Sequence, residues 1–141
     1  NKAIDEIEKK IGTIISRSNI YQSKSWGFDS NDFYNLCLLI DTDIMPKSLL
    51  INLKKIEKSM GREDIDGSYS DRFIDIDILF YDNIITDSED LKIPHPKIEI
   101  RKFVLVPMLE IADDYVHPIL NKTIQELYND CGDQDNPFKI I

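Results

Sequence analysis

The residues with the clearest chemical potential are Asp75 and Asp77, which stand in the run Arg72-Phe73-Ile74-Asp75-Ile76-Asp77-Ile78-Leu79-Phe80. Apolar and polar residues alternate through this run, which predicts a β-strand over residues 72–80 with the isoleucines facing a core. The two carboxylates then project from the opposite face, about 6–7 Å apart, where they repel each other. Aspartate oxygens suit Mg²⁺, which takes substrate phosphates as further ligands, so the pair is a candidate metal site. The alternative is a strand whose solvent-facing side is merely acidic.

The composition is that of an ordinary globular protein. Its 141 residues are 42% hydrophobic and 30% charged, which predicts a single domain over residues 1–141 with a core of its own. The net charge of −9 argues against general binding to nucleic acids or to anionic membranes, and no apolar run has the length of a membrane span. The two cysteines, Cys37 and Cys131, do not suggest a disulfide framework, so we expect a reducing, cytoplasmic location.

Hydrophobic periodicity predicts the elements that must position the aspartates. A stripe of isoleucines at helical spacing predicts an amphipathic helix over residues 2–16. Alternating patterns predict strands over residues 18–25 and 33–42. A second helix is expected to begin at Pro46, which the first turn tolerates, and to stop at Gly61. Further along the chain we expect a hairpin turn at residues 82–83, a helix over residues 101–112 interrupted at Pro107, a helix opened by the capping box Thr123-x-x-Glu126, and a loose tail over residues 133–136.

This order of elements predicts an α+β fold. The predicted order is helix, strand, strand, helix and strand, and one additional strand before the first helix would complete the ferredoxin-like arrangement, in which helices pack on an antiparallel sheet. That first strand is central, and without it the sheet would leave backbone groups unpaired inside the protein. We therefore expect the domain to be N-terminally incomplete, with a short apolar strand and a glycine-containing turn preceding Asn1.

The chain carries further short motifs besides the aspartate pair. In chain order they are Phe33-Tyr34-Asn35, Gly61-Arg62, Arg72-x-x-Asp75-x-Asp77, Pro94-His95, Arg101, and Phe103-Val104-Leu105-x-Pro107-Met108-x-Glu110-Ile111-Ala112. Each is weak alone, but in this order and at these spacings they resemble 6-hydroxymethyl-7,8-dihydropterin pyrophosphokinase, a family of folate-pathway enzymes. The resemblance covers nearly the whole chain. The departures are the absent N-terminal strand with its Gly-Ser-Asn loop, Tyr69 where tryptophan is frequent, and Asp64 where the family often has a basic residue.

The resemblance implies a reaction. A member of this family transfers pyrophosphate from ATP to 6-hydroxymethyl-7,8-dihydropterin, which gives AMP and the pterin diphosphate. The resemblance also implies two Mg²⁺ ions that bind with ATP and are held by Asp75 and Asp77. It further implies that one of these two carboxylates helps to take the proton of the attacking hydroxyl. No nucleic acid and no membrane is expected as a partner.

The resemblance also implies which residues contact the substrates. Arginine forks match phosphate oxygens, and aromatic rings stack on a flat pterin whose edge forms hydrogen bonds. The implied catalytic residues are Arg62, Arg72, Asp75 and Asp77; the ATP-binding residues are Glu57, Arg62, Arg72, His95 and Arg101; the pterin-binding residues are Ser23, Phe33, Asn35, Asp75 and Phe103.

Most of these residues also have a structural explanation. Arg62 would interact with the last carbonyls of a helix, and His95 would be a side chain held between two prolines. Glu57 would be a surface acid whose aliphatic stem is buried, and Arg101 would be part of a solvated basic pair with Lys102. Phe33 and Phe103 would be ordinary core aromatics.

Two other functions remain open from the residues alone. One is a non-catalytic ferredoxin-like module that binds a metal or a nucleotide. The other is a two-metal phosphohydrolase, which needs more protein ligands than the single aspartate pair that the sequence places in register.

Overall fold

The computed structural model describes residues 2–23, 33–61 and 74–140. These residues form four α-helices, one 3-10 helix and seven short strands, joined into small antiparallel sheets. The helices are α1 (Lys2–Lys10), α2 (Pro46–Gly61), α3 (Lys102–Ala112) and α4 (Ile124–Asp130), and the 3-10 turn is Ile98–Ile100. The strands are β1 (Thr13–Arg17), β2 (Tyr21–Ser23), β3 (Phe33–Asn35), β4 (Leu38–Asp41), β5 (Thr86–Asp87), β6 (Lys92–Ile93) and β7 (Phe138–Lys139). No helix within the described ranges is both long enough and apolar enough to cross a membrane.

The N-terminal helix is shorter than the isoleucine spacing predicts. The helix over residues 2–16 is wrong, because α1 ends at Lys10 and residues 13–17 form β1, which pairs with β4. Gly12 separates the two elements at a point where the backbones nearly touch. A Cβ added there would lie 2.1 Å from the carbonyl oxygen of Asp41. The β-branched residues that follow suit an extended chain, and their pairing with β4 prevails over the helical period.

The predicted strand over residues 33–42 is two strands in separate sheets. β3 pairs with β2, and β4 pairs with β1. Between them, Cys37 exchanges hydrogen bonds with Ser18: the Ser18 N–H donates to the Cys37 carbonyl at 2.9 Å, and the Cys37 N–H donates to the Ser18 hydroxyl at 2.9 Å. Burial raises the pKa of the Cys37 thiol to about 12, so this thiol is protonated at neutral pH.

The apolar residues form two clusters. The first cluster lies between α1 and α2, and the second packs α3 against α4. The buried members of the first are Ile7, Ile11, Leu49, Leu53 and Ile56, and those of the second are Cys37, Ile98, Leu105, Met108, Ile124 and Leu127.

Residues 74–80 connect the two clusters, but they belong to no strand of the described chain. The strand predicted over residues 72–80 is therefore not formed in its described part, although its alternation of half-buried and exposed side chains is present. Ile76 and Ile78 pack against the first cluster, and Leu79 and Phe80 pack against the second. The hairpin predicted at residues 82–83 is also wrong: the chain turns there, and the strands that pair are β5 and β6.

The C-terminal helices follow their sequence signals more closely. The capping box at Thr123 and Glu126 is confirmed, since each side chain accepts a hydrogen bond from the other residue's backbone N–H. Pro107 does not interrupt α3, which is continuous from Lys102 to Ala112. Residues 133–136, predicted as a loose tail, belong to no helix or strand, and β7 follows them and pairs with β2.

A carboxylate on α3 joins this helix to the segment that leads into β2. Glu110 accepts hydrogen bonds from the Asn19 backbone N–H at 2.8 Å, the Asn19 side-chain amide at 2.7 Å and the Tyr21 hydroxyl at 3.0 Å. Burial alone would raise the pKa of Glu110, but these hydrogen bonds and the charge of Lys139 outweigh it and lower the pKa. The ionised carboxylate therefore stabilises the native contact between the two elements.

We expect Glu110→Gln to lower the free energy of unfolding at pH 7 by about 1 kcal/mol, a modest value because the site is solvent-exposed. Since the pKa of Glu110 is lowered in the folded protein, its contribution in the wild type is complete above the ordinary glutamate pKa. The contribution is lost as pH falls through the folded-state pKa. Urea unfolding between pH 7 and pH 3 measures this difference. Glu8→Gln, an exposed change on α1, is the control, and an equal effect of both variants would contradict the role of Glu110.

Candidate active site

A groove runs between β4 and residues 74–82. Its volume is about 1110 Å³. Its walls are largely apolar, with Asn35, Asp75 and Asp77 among its polar lining residues. The groove is therefore lined by two predicted pterin residues, Asn35 and Asp75, and by both predicted metal ligands, Asp75 and Asp77.

Asp75 and Asp77 are exposed, whereas Ile74, Ile76 and Ile78 between and beside them are half-buried. Both carboxylates thus lie on the face away from the first cluster, as the alternation predicts. No lysine or arginine in the described ranges forms an ion pair with either one. The same ranges contain no group of three or more His, Cys, Asp or Glu side chains arranged to hold a metal ion. The protein ligands that this part of the chain offers are two carboxylates that form no ion pair with a described lysine or arginine.

Glu57, from α2, fixes the backbone between the two aspartates. Its Oε2 accepts a hydrogen bond from the Ile76 N–H at 2.7 Å, and its Oε1 lies 3.2 Å from Lys54 Nζ. Only 15% of the Glu57 side chain is exposed. Glu57 therefore acts on the backbone that carries the predicted metal ligands, and both of its oxygens already have partners.

His95 lies beside the end of the same segment. Its backbone N–H donates to the Leu79 carbonyl at 2.9 Å, and its Nδ1 accepts a hydrogen bond from the Lys97 N–H at 3.3 Å. Since Nδ1 is the acceptor, the proton of a neutral ring is on Nε2, which is left as a donor.

The pKa of His95 reflects its burial and the charged groups that lie near it. Burial lowers the pKa of His95, Asp77 raises it, and Arg101 lowers it again, with a lowered pKa as the net result. The imidazole is therefore neutral at pH 7. Asp77 and Arg101 are each close enough to His95 to act on it electrostatically, although Arg101 comes from the far side of the 3-10 turn.

Arg101 and Phe103 stand at the start of α3 and contact each other. The guanidinium carbon of Arg101 lies 5.4 Å from the centroid of the Phe103 ring, which is within the range of a cation–π interaction. This contact joins a predicted ATP residue to a predicted pterin residue.

The other predicted pterin residues lie on β2 and β3. Tyr21 pairs with Asn35, and the buried Ser23 pairs with Phe33. The Phe33 side chain, Arg62 and Arg72 lie outside the described residues, so their predicted roles stay predictions.

The comparison with known proteins identifies the family. The sequence model of the 7,8-dihydro-6-hydroxymethylpterin-pyrophosphokinase family matches residues 1–113. This chain belongs to that family.

Individual members of the pyrophosphokinase family are similar over most of the chain. A 2-amino-4-hydroxy-6-hydroxymethyldihydropteridine pyrophosphokinase of Aquifex aeolicus is 40% identical over 126 residues, which are 89% of this chain and 78% of that protein. The protein of the same name from Haemophilus influenzae is 37% identical over 133 residues, or 94% of this chain and 81% of that protein. The folic acid synthesis protein fol1 of Pneumocystis carinii is 38% identical over 134 residues, but the chain spans only 18% of that longer protein.

Two structural contacts in the described chain were not predicted from sequence. They are the hydrogen bond from the Ile76 N–H to Glu57 and the set of hydrogen bonds to Glu110. A signal existed for each, because Glu57 borders the apolar stripe of α2 and Glu110 is the one acid in the apolar helix α3. The sequence marks such acids as unusual but does not identify their partners.

We expect Glu57→Ala to lower the free energy of unfolding without Mg²⁺ by about 1–3 kcal/mol, because it leaves the Ile76 N–H without its acceptor. Glu57→Gln keeps an acceptor oxygen and should restore more than half of that loss. Chemical denaturation in chelator measures both. Lys54→Ala, which removes only the exposed ion partner, should cost less than about 1 kcal/mol, and a cost equal to that of Glu57→Ala would contradict the backbone role.

Proposed function

We propose that this chain is a 2-amino-4-hydroxy-6-hydroxymethyldihydropteridine pyrophosphokinase of folate synthesis. It transfers the terminal pyrophosphate of ATP to the hydroxymethyl group of 6-hydroxymethyl-7,8-dihydropterin and releases AMP. The observation that carries this proposal is the exposed Asp75 and Asp77 pair, in a chain of this family. In the described ranges neither carboxylate forms an ion pair with a lysine or arginine, which leaves both available to a metal.

The aspartate pair fits a hard divalent cation. Its donors are carboxylate oxygens, which suit Mg²⁺, and a site with few protein ligands leaves positions for water and phosphate oxygens. Asp75 and Asp77 would hold two Mg²⁺ ions together with ATP. When bound, the ions neutralise phosphate charge and lower the pKa of the pterin hydroxyl.

The chain's own groups align the reaction. The pterin hydroxyl oxygen attacks the β-phosphorus, the bond from that phosphorus to the α-phosphate oxygen breaks, and AMP leaves with the electron pair. One of the two carboxylates, Asp75 or Asp77, takes the hydroxyl proton. Since phosphoryl-type transfer depends mainly on positioning and charge, the packing of residues 74–80 and the hydrogen bond from Ile76 to Glu57 contribute to the rate by positioning the aspartates.

Basic and hydrogen-bonding groups bind the phosphates. His95 donates through Nε2, and Arg101 presents its guanidinium fork. Arg62 and Arg72 neutralise the negative charge of the pyrophosphate that is transferred. Glu57 contributes to nucleotide binding indirectly, by holding the backbone between the two aspartates.

The pterin lies between aromatic rings, with its edge on the strands. Phe33 and Phe103 stack on the two faces of the bicycle. Asn35 and groups near Ser23 form hydrogen bonds with its edge, and Asp75 approaches its hydroxymethyl group. We place the protein in the cytoplasm, with ATP and the pterin as its partners and neither nucleic acid nor membrane among them.

We also propose that a further strand of the fold occupies the groove between β4 and residues 74–82. Residues 74–80 have a strand-like alternation and no strand partner in the described chain, and β4 forms the opposite wall. A strand that precedes α1 would pair with both walls and complete a single ferredoxin-like domain. Its apolar side chains would fill the space between the two clusters.

We expect Asp75→Ala and Asp77→Ala each to lower the rate of AMP formation by at least about 10²–10³-fold, because each removes one preorganised electrostatic group. In chelator, the folded variants should melt no earlier than the wild type, since each change relieves like-charge repulsion. AMP release from Mg-ATP with and without the pterin, beside thermal unfolding, measures both effects.

Asp90→Ala, a change of another exposed aspartate, is the matched control and should leave the rate within about twofold. AMP that appears only with the pterin excludes both a phosphohydrolase and a binding module. A variant that melts much earlier yet keeps near-normal turnover would show that the aspartates belong to the architecture.

The proposed strand is tested by amide hydrogen exchange. In a polypeptide that includes residues upstream of Asn1, the amides of Ile74 and Ile78 should exchange at least about tenfold more slowly than in residues 1–141, because a central strand partner protects them. The amides of Leu127 and Tyr128 in α4 serve as the internal control. Equal exchange of Ile74 and Ile78 in both polypeptides would contradict a strand in the groove.

A further inference from the structure

The proposed pterin site is assembled from two parts that are distant in sequence. β2 and β3 carry Ser23 and Asn35, and the start of α3 carries Phe103. Stacking on a flat ring requires these parts to be held at a fixed separation, because a displacement of ~1 Å in a binding site can cost about 10²-fold in rate. The C-terminal tail, which we define as residues 133–140, contacts both parts.

The tail is the outer strand of the sheet that carries Ser23. β7 pairs with β2 in antiparallel register, with Tyr21 opposite Lys139. The Ile140 N–H donates to the Ile20 carbonyl at 3.0 Å. β2 is therefore central in a three-stranded sheet, with β3 on one side and the tail on the other.

The same tail caps the helix that carries Phe103. Arg101, the N-cap residue of α3, makes no side-chain capping hydrogen bond. Asp133 supplies one instead: its Oδ2 accepts from the Lys102 N–H at 3.1 Å, directly between Arg101 and Phe103 in sequence. A carboxylate at this position accepts a hydrogen bond from an N–H that has no partner within the helix. It is also stabilised by the positive end of the helix dipole.

Two further contacts keep the tail in place. The Lys102 ammonium donates to Asn136 Oδ1 at 3.3 Å, and the Asp135 N–H donates to Asp133 Oδ1 at 3.0 Å. Lys139 lies near enough to Glu110 to act on its charge, so the tail also supports the carboxylate that holds the approach to β2.

We infer that residues 133–140 are a positioning element of the pterin site, with Asp133 fixing the start of α3 and β7 fixing β2. The inference depends on the proposed function for the identity of the ligand. The tail lies beyond residues 1–113, which the family match covers, and none of its residues is needed as a substrate contact. Its role is to hold two substrate-binding parts in register.

Point variants of the full chain test each attachment. Asp133→Ala removes the cap, and Asp133→Asn keeps an oxygen acceptor and should rescue it. Ile140→Pro removes the N–H that bonds to Ile20, and Ile140→Ala loses the same exposed side chain but keeps that N–H. Asp114→Ala, a change of an exposed aspartate after α3, is the general control.

The readout is the split between KM and kcat. Asp133→Ala and Ile140→Pro should raise KM for 6-hydroxymethyl-7,8-dihydropterin about tenfold or more, with kcat at saturating pterin within about threefold of the wild type. Asp133→Asn, Ile140→Ala and Asp114→Ala should stay within about twofold. A merely structural loss would lower the active fraction, and hence kcat, without changing KM. An unchanged KM in both test variants, or a failure of Asp133→Asn to rescue, would overturn the inference.

A second measurement needs no variant and remains valid if a variant does not fold. By linkage, a ligand that requires the docked tail must also stabilise it. Adding 6-hydroxymethyl-7,8-dihydropterin should therefore slow hydrogen exchange at the amides of Lys139 and Ile140 in the wild type. Binding of the pterin without any slowing there would overturn this inference alone. A wild-type chain that neither binds the pterin nor releases AMP would overturn the proposed function, and the inference with it.

Discussion

The packing of residues 74–81 is the constraint on which the site depends. This segment carries two like charges on one face, and the described chain gives it no strand partner, so its position is set by its apolar side chains and a few hydrogen bonds. Ile76 and Ile78 pack on one cluster, while Phe80 packs on the other and lies 4.7 Å from the Tyr115 ring. Because the segment packs against both clusters, the position of the aspartates depends on both helix pairs.

Local sequence signals correctly predicted the elements whose ends are set by residues within a few positions of each other. The range of α2 and the capping box of α4 follow from proline, glycine and side-chain capping, which act within a few residues. The sequence misled where two periods overlapped. Ile14 continues a helical stripe, yet it lies in β1, because pairing with β4 and the close approach at Gly12 decide the local conformation. The continuity of α3 through Pro107 likewise depends on burial that the helix itself does not encode.

The sequence motifs predicted which residues form the site, but they did not predict the hydrogen bonds that hold these residues in place. The alternation around Asp75 and Asp77 correctly predicted their exposure, since a period of two needs no knowledge of the partner surface. The hydrogen bond from Ile76 to Glu57 and the cap from Asp133 to α3 join residues far apart in sequence. A single sequence contains no signal for such pairs, because an acid at the edge of an apolar stripe has many potential partners. The roles of Arg62 and Arg72 stay predictions.

The two cysteines differ in a way that has a practical consequence. Cys37 is buried and its pKa is raised to about 12, so a thiol-directed reagent meets neither an accessible sulfur nor a thiolate there. Cys131 is half-buried and follows α4, where the chain turns towards the tail. The unmodified polypeptide thus offers a single natural attachment point for a maleimide fluorophore or spin label. That point lies at the junction between the core and the C-terminal segment, where a spectroscopic probe would register whether the segment is docked.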